Sequence, residues 1–245
     1  MDPLLHELQA EIQDRHWWFR GRRRFIQSVL SSFDPGRKVL EVGCGTGANY
    51  PVLSETGRYL VGLDLSDEAL SYAPHDPRVK GDGVNMPFQD GTFDLVVALD
   101  VLEHVVDDGA LARELRRVTR PGGRVLVFVP AFSFLWGVQD ELSHHVRRYT
   151  RKTLLNVLRC GGLEAERISY FNTWLFLPIL CVRFFQRMKS RFHDRLDGCV
   201  RSENEYTPAW LDGPLAALLR SEALAYRYMD LPIGVSLVVL TEPVG

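Results

Sequence analysis

Cysteine is scarce in this sequence, and its placement excludes two common kinds of scaffold. Only four of the 245 residues are cysteines, and they lie at least 18 residues apart, so no CxxC pair is present. Structural zinc sites and disulfide frameworks both need closely patterned cysteines. We therefore expect no metal site, and we expect a reducing, cytoplasmic compartment.

Long hydrophobic runs are also lacking. The apolar stretch Trp174–Val182 is nine residues long, whereas a transmembrane helix needs about 20 residues. The first residues show neither the basic nor the apolar region of a signal peptide. With 46% hydrophobic and 24% charged residues, the composition is that of a globular protein rather than a disordered or fibrous one.

A large net charge is absent, yet the charges are unevenly distributed. The chain has 29 basic and 31 acidic residues, which gives a net charge of −2. Between Asp64 and Glu114 twelve residues are acidic and three are basic, whereas between Arg116 and Glu205 sixteen are basic and eight are acidic. No separate basic domain could hold a duplex, so we expect no nucleic-acid partner. The basic half favours an anionic or membrane-near substrate.

Strands and helices alternate along the first part of the chain. Five strands are predicted by short apolar segments at residues 39–42, 59–63, 79–81, 93–99 and 124–129. This alternation indicates the α/β class, with a parallel sheet covered by helices on both faces. Residues 163–169 predict a sixth strand, and Val235–Leu240 predict a last strand far downstream.

A glycine-rich loop follows the first predicted strand and opens a helix. Its sequence is Glu41-Val42-Gly43-Cys44-Gly45-Thr46-Gly47-Ala48. Glycines let the backbone approach a ligand closely, and a helix N-terminus offers free N–H groups. Asp64 ends the second strand, where a carboxylate can accept hydrogen bonds from a ribose diol. NAD and S-adenosylmethionine sites share this arrangement, so the loop alone does not separate the two cofactors.

Motifs further along the chain do separate them. Asp82 follows the third strand, Leu102-Glu103-His104 follows the fourth, and Pro121-Gly122-Gly123 precedes the fifth. With these motifs in order over residues 38–130, the chain resembles the class I S-adenosylmethionine-dependent methyltransferases, in the type 11/12-like branch with small or lipid-linked acceptors. The resemblance implies a Rossmann-like seven-stranded sheet of order 3-2-1-4-5-7-6, with Val235–Leu240 as an antiparallel last strand.

The resemblance also implies a cofactor site at the carboxyl ends of the strands. Glu41 and the loop glycines would surround the methionine portion of S-adenosylmethionine, and Asp64 would hold the ribose hydroxyls. The residues implied for the methionine portion are Glu41, Gly43, Gly45 and Gly47. Those implied for the adenosine are Asp64, Leu65, Asp82 and Gly83, and Asp100 and Val101 would lie near the sulfonium.

The N-terminal segment His16-Trp17-Trp18-Phe19-Arg20-Gly21-Arg22 resembles one that folds over the cofactor in similar methyltransferases. We expect an aromatic and basic hinge at residues 16–24. Helical spacing predicts a helix on each side of it, one with Leu5, Leu8 and Ile12 and one with Phe25, Ile26, Val29, Leu30 and Phe33. Trp18 would offer flat apolar cover, and Arg22 could pair with the cofactor carboxylate through its planar fork of donors. The alternative is an aromatic hinge packed on the core, with its arginines in solvent.

The acceptor loop, residues 130–150, follows the fifth strand. Loops beyond the strand C-termini form the binding crevice of an open α/β sheet, so this loop should overhang the methyl acceptor. It resembles a D…GH-x-RRYT pattern of the same branch, with His144 in place of the glycine. The predicted acceptor contacts are Trp136, Asp140, Arg148 and Tyr149.

Methyl transfer is an in-line displacement at a sulfonium carbon, so the protein mainly aligns the two reactants. A base is needed only when the acceptor is a hydroxyl or another protonated group. His104 and His145 are the candidates, because imidazole can take up a proton near neutral pH. Structural roles are the alternatives, as a link from the fourth strand to its helix for His104 and as a loop anchor for His145.

Roughly sixty residues separate the sixth and last strands, which is long for a connection inside a domain. We divide the single domain into a helical cover (1–37), a cofactor-binding core (38–171), a helical insertion (172–231) and a final strand (232–245). The apolar run and its basic flank, residues 174–195, favour a lid over the active site. Peripheral contact with a membrane is the alternative. The oligomeric state is left open.

The sequence therefore predicts an S-adenosylmethionine-dependent methyltransferase of a small or lipid-linked acceptor, with oxygen as the expected target. Two other functions are weighed against it. One is an NAD(P)-dependent oxidoreductase, and the other is a cofactor-binding pseudoenzyme that acts by interaction.

Overall fold

A single seven-stranded sheet forms the centre of the molecule in the computed structural model. The structure describes residues 7, 10–55, 58–72, 77–192 and 208–244. The sheet order is β3-β2-β1-β4-β5-β7-β6, and β7 runs antiparallel to both of its neighbours. The predicted order and the antiparallel last strand are thereby confirmed. The strands are β1 (Lys38–Val42), β2 (Tyr59–Asp64), β3 (Arg78–Lys80), β4 (Phe93–Leu99), β5 (Thr119–Pro130), β6 (Leu163–Phe171) and β7 (Ser236–Pro243).

Helices connect the strands and cover the sheet. Several begin at capping side chains: Ser66 Oγ accepts from Ala69 N (3.2 Å), and Asp107 Oδ1 accepts from Ala110 N (2.8 Å). Two 3-10 turns, Leu102–His104 and Ser133–Leu135, follow β4 and β5. The helices are α1 (Trp17–Leu30), α2 (Tyr50–Leu53), α3 (Asp67–Tyr72), α4 (Asp108–Val118), α5 (Val138–Leu142), α6 (Arg151–Cys160), α7 (Phe176–Phe192) and α8 (Ala209–Tyr226).

The core lies on both faces of the central strands. In β4 the run from Leu95 to Ala98 is fully buried, as is the run from Val125 to Val129 in β5. Strands buried on both faces need apolar residues at successive positions, which is why these segments are continuous rather than alternating. The carboxyl ends of β1, β2 and β4 therefore meet at one edge of a rigid platform.

The N-terminal hinge that the sequence analysis predicts is wrong, because Trp17–Leu30 is one continuous helix. Trp18 N bonds to Nδ1 of the capping residue His16 (3.3 Å), and Trp17 N donates to Asp212 Oδ1 of α8 (2.6 Å). Of the aromatic and basic residues at positions 17–24, Phe19 and Arg22 are buried. The other predicted helix, with Leu5, Leu8 and Ile12, falls mostly outside the described residues.

The described residues of the insertion form the helices α7 and α8. The carboxyl-terminal part of α8 contributes Leu219, Ala223 and Tyr226 to the core, and α8 packs along α1. Much of the surface of α7 between residues 177 and 186 is exposed and apolar. Within the described part of the chain, none of the helices is long and apolar enough to cross a membrane. Arg195, part of the predicted basic flank, lies outside the described residues.

Candidate active site

The glycine-rich loop makes a tight turn between β1 and α2. Gly43, Gly45 and Gly47 have φ of 66°, 53° and 81°, a region that side chains with a Cβ rarely adopt. A Cβ on Gly43 would lie 2.6 Å from Val101 Cγ2, whereas one on Gly45 would meet no atom within 4 Å. Gly43 therefore serves close packing against the end of β4, and Gly45 borders open space that a ligand can fill.

Asp64 ties this turn to the end of β2. Its Oδ2 accepts from Gly45 N (2.8 Å), and its Oδ1 accepts from Ser66 N (2.9 Å). Each carboxylate oxygen can accept a further hydrogen bond, so the residue can anchor the loop and still bind a diol. The next residue, Leu65, is 67% exposed and offers an apolar surface beside it.

Asp82 and Gly83 form a turn after β3. Asp82 Oδ1 accepts from Val84 N (3.0 Å), which holds the carboxylate in place. A Cβ on Gly83 would lie 3.1 Å from Leu111 Cδ1, so this backbone sits close to α4. The turn lies at the same edge of the sheet as Asp64, because β2 and β3 are parallel neighbours.

Glu41 is a buried carboxyl with one free oxygen. Its Oε1 accepts from Asn49 Nδ2 (2.7 Å), while Oε2 has no partner among the described residues. Burial raises the pKa of Glu41 to about 7, although the hydrogen bond from Asn49 and the charge of Arg22 oppose this shift. Asn49 is a site residue that the sequence analysis did not single out, because nothing in the pattern points to an amide two residues after the glycines.

Arg22 reaches the end of β4 from α1. Its Nη1 lies 2.7 Å from Asp100 Oδ2, and its guanidinium stacks between the rings of Trp18 and Phe128, 4.9 and 4.8 Å from their centres. The Nε and Nη2 groups are buried, and neither has a hydrogen-bond partner in the described ranges. Asp100 itself has a φ of 57°, a strained conformation that concentrates at functional sites.

These features fit a ligand that combines an amino acid with a nucleoside. The free oxygen of Glu41 suits an ammonium group, and the free N–H groups of Arg22 suit a carboxylate. Asp64 suits a ribose diol, and the exposed Leu65 suits a flat ring. The predicted cofactor residues thus come together along the carboxyl ends of β1, β2 and β4.

Asp140 organises the acceptor loop. It is fully buried and accepts from Gly137 N (2.8 Å), from Arg148 Nε and Nη2 (2.7 and 3.0 Å) and from His145 Nδ1 (2.8 Å). Burial alone would raise the pKa of Asp140, but the hydrogen bonds from His145 and Arg148 lower it to about 2. The residue therefore stays ionised and holds the loop together.

Tyr149 and Arg148 also have protein partners. The hydroxyl of Tyr149 donates to Leu102 O (3.2 Å) and Asp108 Oδ2 (2.8 Å), and the residue is buried. We now interpret Asp140, Arg148 and Tyr149 as residues that position the acceptor loop rather than contact the acceptor. Trp136 is half-buried beside this network and stays a predicted acceptor contact.

The structure brings together two histidines that are far apart in sequence. The rings of His104 and His145 lie 4.6 Å apart at an angle of 84°. Burial, and then the neighbouring His145, lower the pKa of His104 to about 4, so it is neutral at physiological pH. His144 has a φ of 55°, so this residue adopts the left-handed turn for which the similar sequences use glycine.

Glu103 is the middle residue of the Leu102-Glu103-His104 motif, and the sequence alone predicts no role for it. It is fully buried beside the two histidines, and burial together with the charge of Asp100 raises its pKa well above the ordinary range. Neither of its oxygens has a hydrogen-bond partner in the part of the chain that the structure describes. A glutamate next to a histidine after a strand is common in sequences, so only its burial marks it out.

Comparisons with known proteins agree with this geometry. Residues 40–127 match a family model described as a methyltransferase domain. The chain is 32% identical over 161 residues to a protein of Mycolicibacterium smegmatis described as a probable S-adenosylmethionine-dependent methyltransferase. That alignment covers 63% of this chain and 62% of the relative.

The part of the chain at residues 40–127 is a methyltransferase domain of the class I S-adenosylmethionine-dependent kind.

One further relative and one solved structure are similar to this chain. A demethylmenaquinone methyltransferase of Mycobacterium tuberculosis strain H37Rv is 40% identical over 160 residues, which is 64% of each chain. A methyltransferase solved with the Haloferax volcanii Trm112 activator has the same fold, with a TM-score of 0.62, 18% identity and coverage of 99% and 95% of the two chains. The alignments span less than two thirds of the length of these curated relatives.

Proposed function

We propose that this protein transfers the methyl group of S-adenosylmethionine to a small or lipid-linked acceptor, with a hydroxyl oxygen as the target. The observation that carries the proposal is the set of unpaired groups at the cofactor site. Glu41 Oε2 and the Nε and Nη2 groups of Arg22 are buried and have no hydrogen-bond partner among the described residues. A buried polar group without a partner is costly. A ligand with both an ammonium and a carboxylate group would satisfy them. Family membership favours S-adenosylmethionine over NAD(P) as that ligand.

The bound cofactor would supply an activated methyl group, and the chain supplies its alignment. Asp64 and the glycine turn would fix the adenosine, while Glu41 and Arg22 would fix the amino-acid end. Held at both ends, the sulfonium carbon points in a defined direction, which removes most of the entropic part of the barrier.

The acceptor side is built by the loop that Asp140 organises. His145 belongs to this loop, and its ring contacts that of His104 at the end of β4. Both stay candidate bases that would remove the proton of a hydroxyl acceptor. The relatives named demethylmenaquinone methyltransferases support a lipid-linked acceptor. The contact of Phe176 in α7 with Phe132 of this loop, at 6.0 Å between ring centres, supports the role of the insertion as a lid.

The proposal is tested by calorimetry and turnover with the full chain. We expect S-adenosylmethionine to bind with one molecule per chain and NAD(P) not to bind. A panel of soluble phenols and short-chain quinols should then give acceptor-dependent release of S-adenosylhomocysteine. Binding without turnover across the panel would favour a pseudoenzyme, and binding of NAD(P) in place of S-adenosylmethionine would overturn the proposal.

A further inference from the structure

Glu103, His104 and His145 form a cluster at the carboxyl end of β4. Glu103 and His104 lie in the 3-10 turn that follows this strand. His145 comes from the acceptor loop, which the hydrogen bond from Val146 N to Glu103 O (2.8 Å) holds against the turn. One ligand atom from each of the three side chains lies within 4.8 Å of those of the other two.

The carboxylate of Glu103 sets this cluster apart. It is fully buried, and neither oxygen has a hydrogen-bond partner among the described residues. The charges of two arginines act on it, but these arginines pair with other carboxylates, Arg22 with Asp100 through Nη1 and Arg148 with Asp140. An isolated buried carboxylate is costly unless it is protonated or meets a cation. Two imidazole nitrogens beside it favour a cation.

Both histidines are oriented as metal ligands usually are. Nδ1 of His145 bonds to Asp140 Oδ1 (2.8 Å), which leaves Nε2 for another partner. A ring nitrogen of His104 hydrogen-bonds to the backbone of Ser143, which leaves the second nitrogen. Metal-binding histidines typically donate their other N–H to a carboxylate or a backbone carbonyl, which fixes the tautomer and the ring.

We infer that Glu103, His104 and His145 bind one divalent transition-metal ion of the Zn²⁺ class. Two imidazoles and one carboxylate are a ligand set of catalytic zinc sites, in which a fourth position stays open for water or substrate. Metal–ligand bonds of about 2.0–2.2 Å place tetrahedral ligand atoms about 3.4 Å apart. Shifts of about 1 Å in the positions of these side-chain atoms would therefore bring the three ligand atoms to the spacing that a bound ion requires. The inference replaces the expectation, drawn from cysteine spacing, that the chain has no metal site.

An ion at this place would border the acceptor side of the crevice, because the cluster joins the end of β4 to the acceptor loop. It would polarise an acceptor oxygen at its open position, with His145 as a ligand rather than a free base. This effect on the acceptor rests on the proposed function, whereas the binding of the ion at the cluster is independent of that function.

The test is Zn²⁺ binding by the full chain after dialysis against a chelator, measured by calorimetry, with Co²⁺ absorption as a spectroscopic probe. We expect one ion per chain. Glu103→Gln, His104→Asn and His145→Asn should each weaken binding about tenfold or more, because each removes a ligand atom. Each should also change the visible absorption of bound Co²⁺.

His144→Asn is the matched control. It replaces the adjacent histidine, whose φ of 55° asparagine also tolerates, and it should bind Zn²⁺ as the wild type does. Circular dichroism shows whether each variant folds, and if one does not, the remaining two decide.

Two results would overturn the inference. One is the absence of one-to-one binding tighter than about 10 μM. The other is equal binding by the wild type and the three ligand variants, which would place the ion elsewhere, for example at Cys160 or Cys181. A chain that binds Zn²⁺ at this cluster but transfers no methyl group would overturn the proposed function alone. A chain that transfers methyl groups without binding Zn²⁺ would overturn this inference alone.

Discussion

At the scale of single residues, the proposed cofactor site is a set of side chains that each bond to a neighbouring group and could also bind a ligand. Asp64 holds the glycine turn and keeps acceptor capacity for a ligand. Glu41 bonds to Asn49 through one oxygen, and Arg22 pairs with Asp100 through Nη1. The second oxygen of Glu41 and the Nε and Nη2 groups of Arg22 have no hydrogen-bond partner within the ranges that the structure describes. Preorganisation of this kind lowers the entropy lost when a ligand binds.

We expect Asp64→Ala to weaken S-adenosylmethionine binding by about tenfold or more, because it removes hydrogen bonds to a charged acceptor and the anchor of Gly45. Asp64→Asn keeps one acceptor oxygen and should lose less. Calorimetry gives both dissociation constants. Asp67→Ala, on the exposed surface of the neighbouring helix, is the control, and a wild-type constant for Asp64→Ala would refute the assigned pocket.

We expect Glu41 to make the binding of S-adenosylmethionine depend on pH. Its pKa of about 7 in the free protein means that it is largely protonated at pH 6, yet only the carboxylate pairs with an ammonium group. The affinity for S-adenosylmethionine should therefore be about tenfold weaker at pH 6 than at pH 8. Glu41→Gln should flatten this dependence and weaken binding at pH 8. Glu164→Gln, at an exposed position of β6, should keep the wild-type profile; a slope unchanged by Glu41→Gln would argue against this pairing.

At the scale of elements, the two helices of the insertion are fixed to the sheet by buried polar and aromatic contacts. Glu222 of α8 is fully buried and accepts from Thr173 N (2.9 Å) and Trp174 N (3.4 Å), at the turn that leads from β6 into α7. Phe176 of α7 contacts the acceptor loop. The insertion is therefore joined both to the sheet and to the acceptor side of the crevice.

Glu222 should make stability fall as pH rises. Burial raises its pKa from 4.5 to about 7, so the folded chain binds this proton more tightly than the unfolded chain. Stability is then lost as the pH rises from about 4.5 to about 7. Glu222→Gln keeps an acceptor oxygen but cannot ionise. Urea unfolding gives the free energy of unfolding of the variant and of the wild type. The variant's value minus the wild-type value should increase by about 1–3 kcal/mol from pH 5 to pH 8. If the free energies of unfolding of variant and wild type differ by the same amount at pH 5 and at pH 8, the prediction is wrong.

The lid role of α7 predicts different effects for its two faces. Phe176 is buried against the acceptor loop, so Phe176→Ala should lower turnover of a soluble acceptor several-fold. Phe185 is 67% exposed, and Phe185→Ser should leave that turnover unchanged. Sedimentation of the wild type with anionic liposomes, abolished by Phe185→Ser, would support the membrane alternative for this face.

At the scale of the whole molecule, the N-terminal helix, the insertion and the sheet share one core. The ring of Phe25 in α1 lies 4.9 Å from that of Phe171 in β6 and 4.8 Å from that of Tyr226 in α8, centre to centre. It also lies edge-on to Phe128 of β5, at 6.5 Å. Segments far apart in sequence therefore meet at one aromatic cluster.

Phe25→Ala should destabilise the whole chain by about 3–5 kcal/mol, because it leaves a cavity in a fully buried aromatic cluster. Thermal unfolding followed by circular dichroism and by tryptophan fluorescence should shift together. An early transition in fluorescence alone, with the sheet melting at the wild-type temperature, would show that the cover and insertion unfold independently.

Residue patterns along the chain were enough to predict the sheet, and they also predicted a cofactor site at the carboxyl ends of its strands. Apolar strands, glycines at a strand–helix turn and Asp64 at the end of the next strand act through local geometry, and local geometry is written in neighbouring residues. The motif order then singled out one family and with it the strand order, including the antiparallel β7. The hinge predicted at residues 16–24 was wrong, because Trp17–Leu30 is one helix that packs against α8 and the sheet.

Only the tertiary structure decided which distant side chains meet. Arg22 reaches Asp100 across 78 positions of sequence, and Asn49 turns toward Glu41. His145 meets His104 and the unpaired carboxylate of Glu103 because Asp140 and the Val146 N–H fold the acceptor loop back onto the end of β4. Such encounters depend on long-range packing and on desolvation. No residue pattern along the chain encodes either of them. Together they decide whether a glutamate such as Glu103 is exposed to solvent or buried.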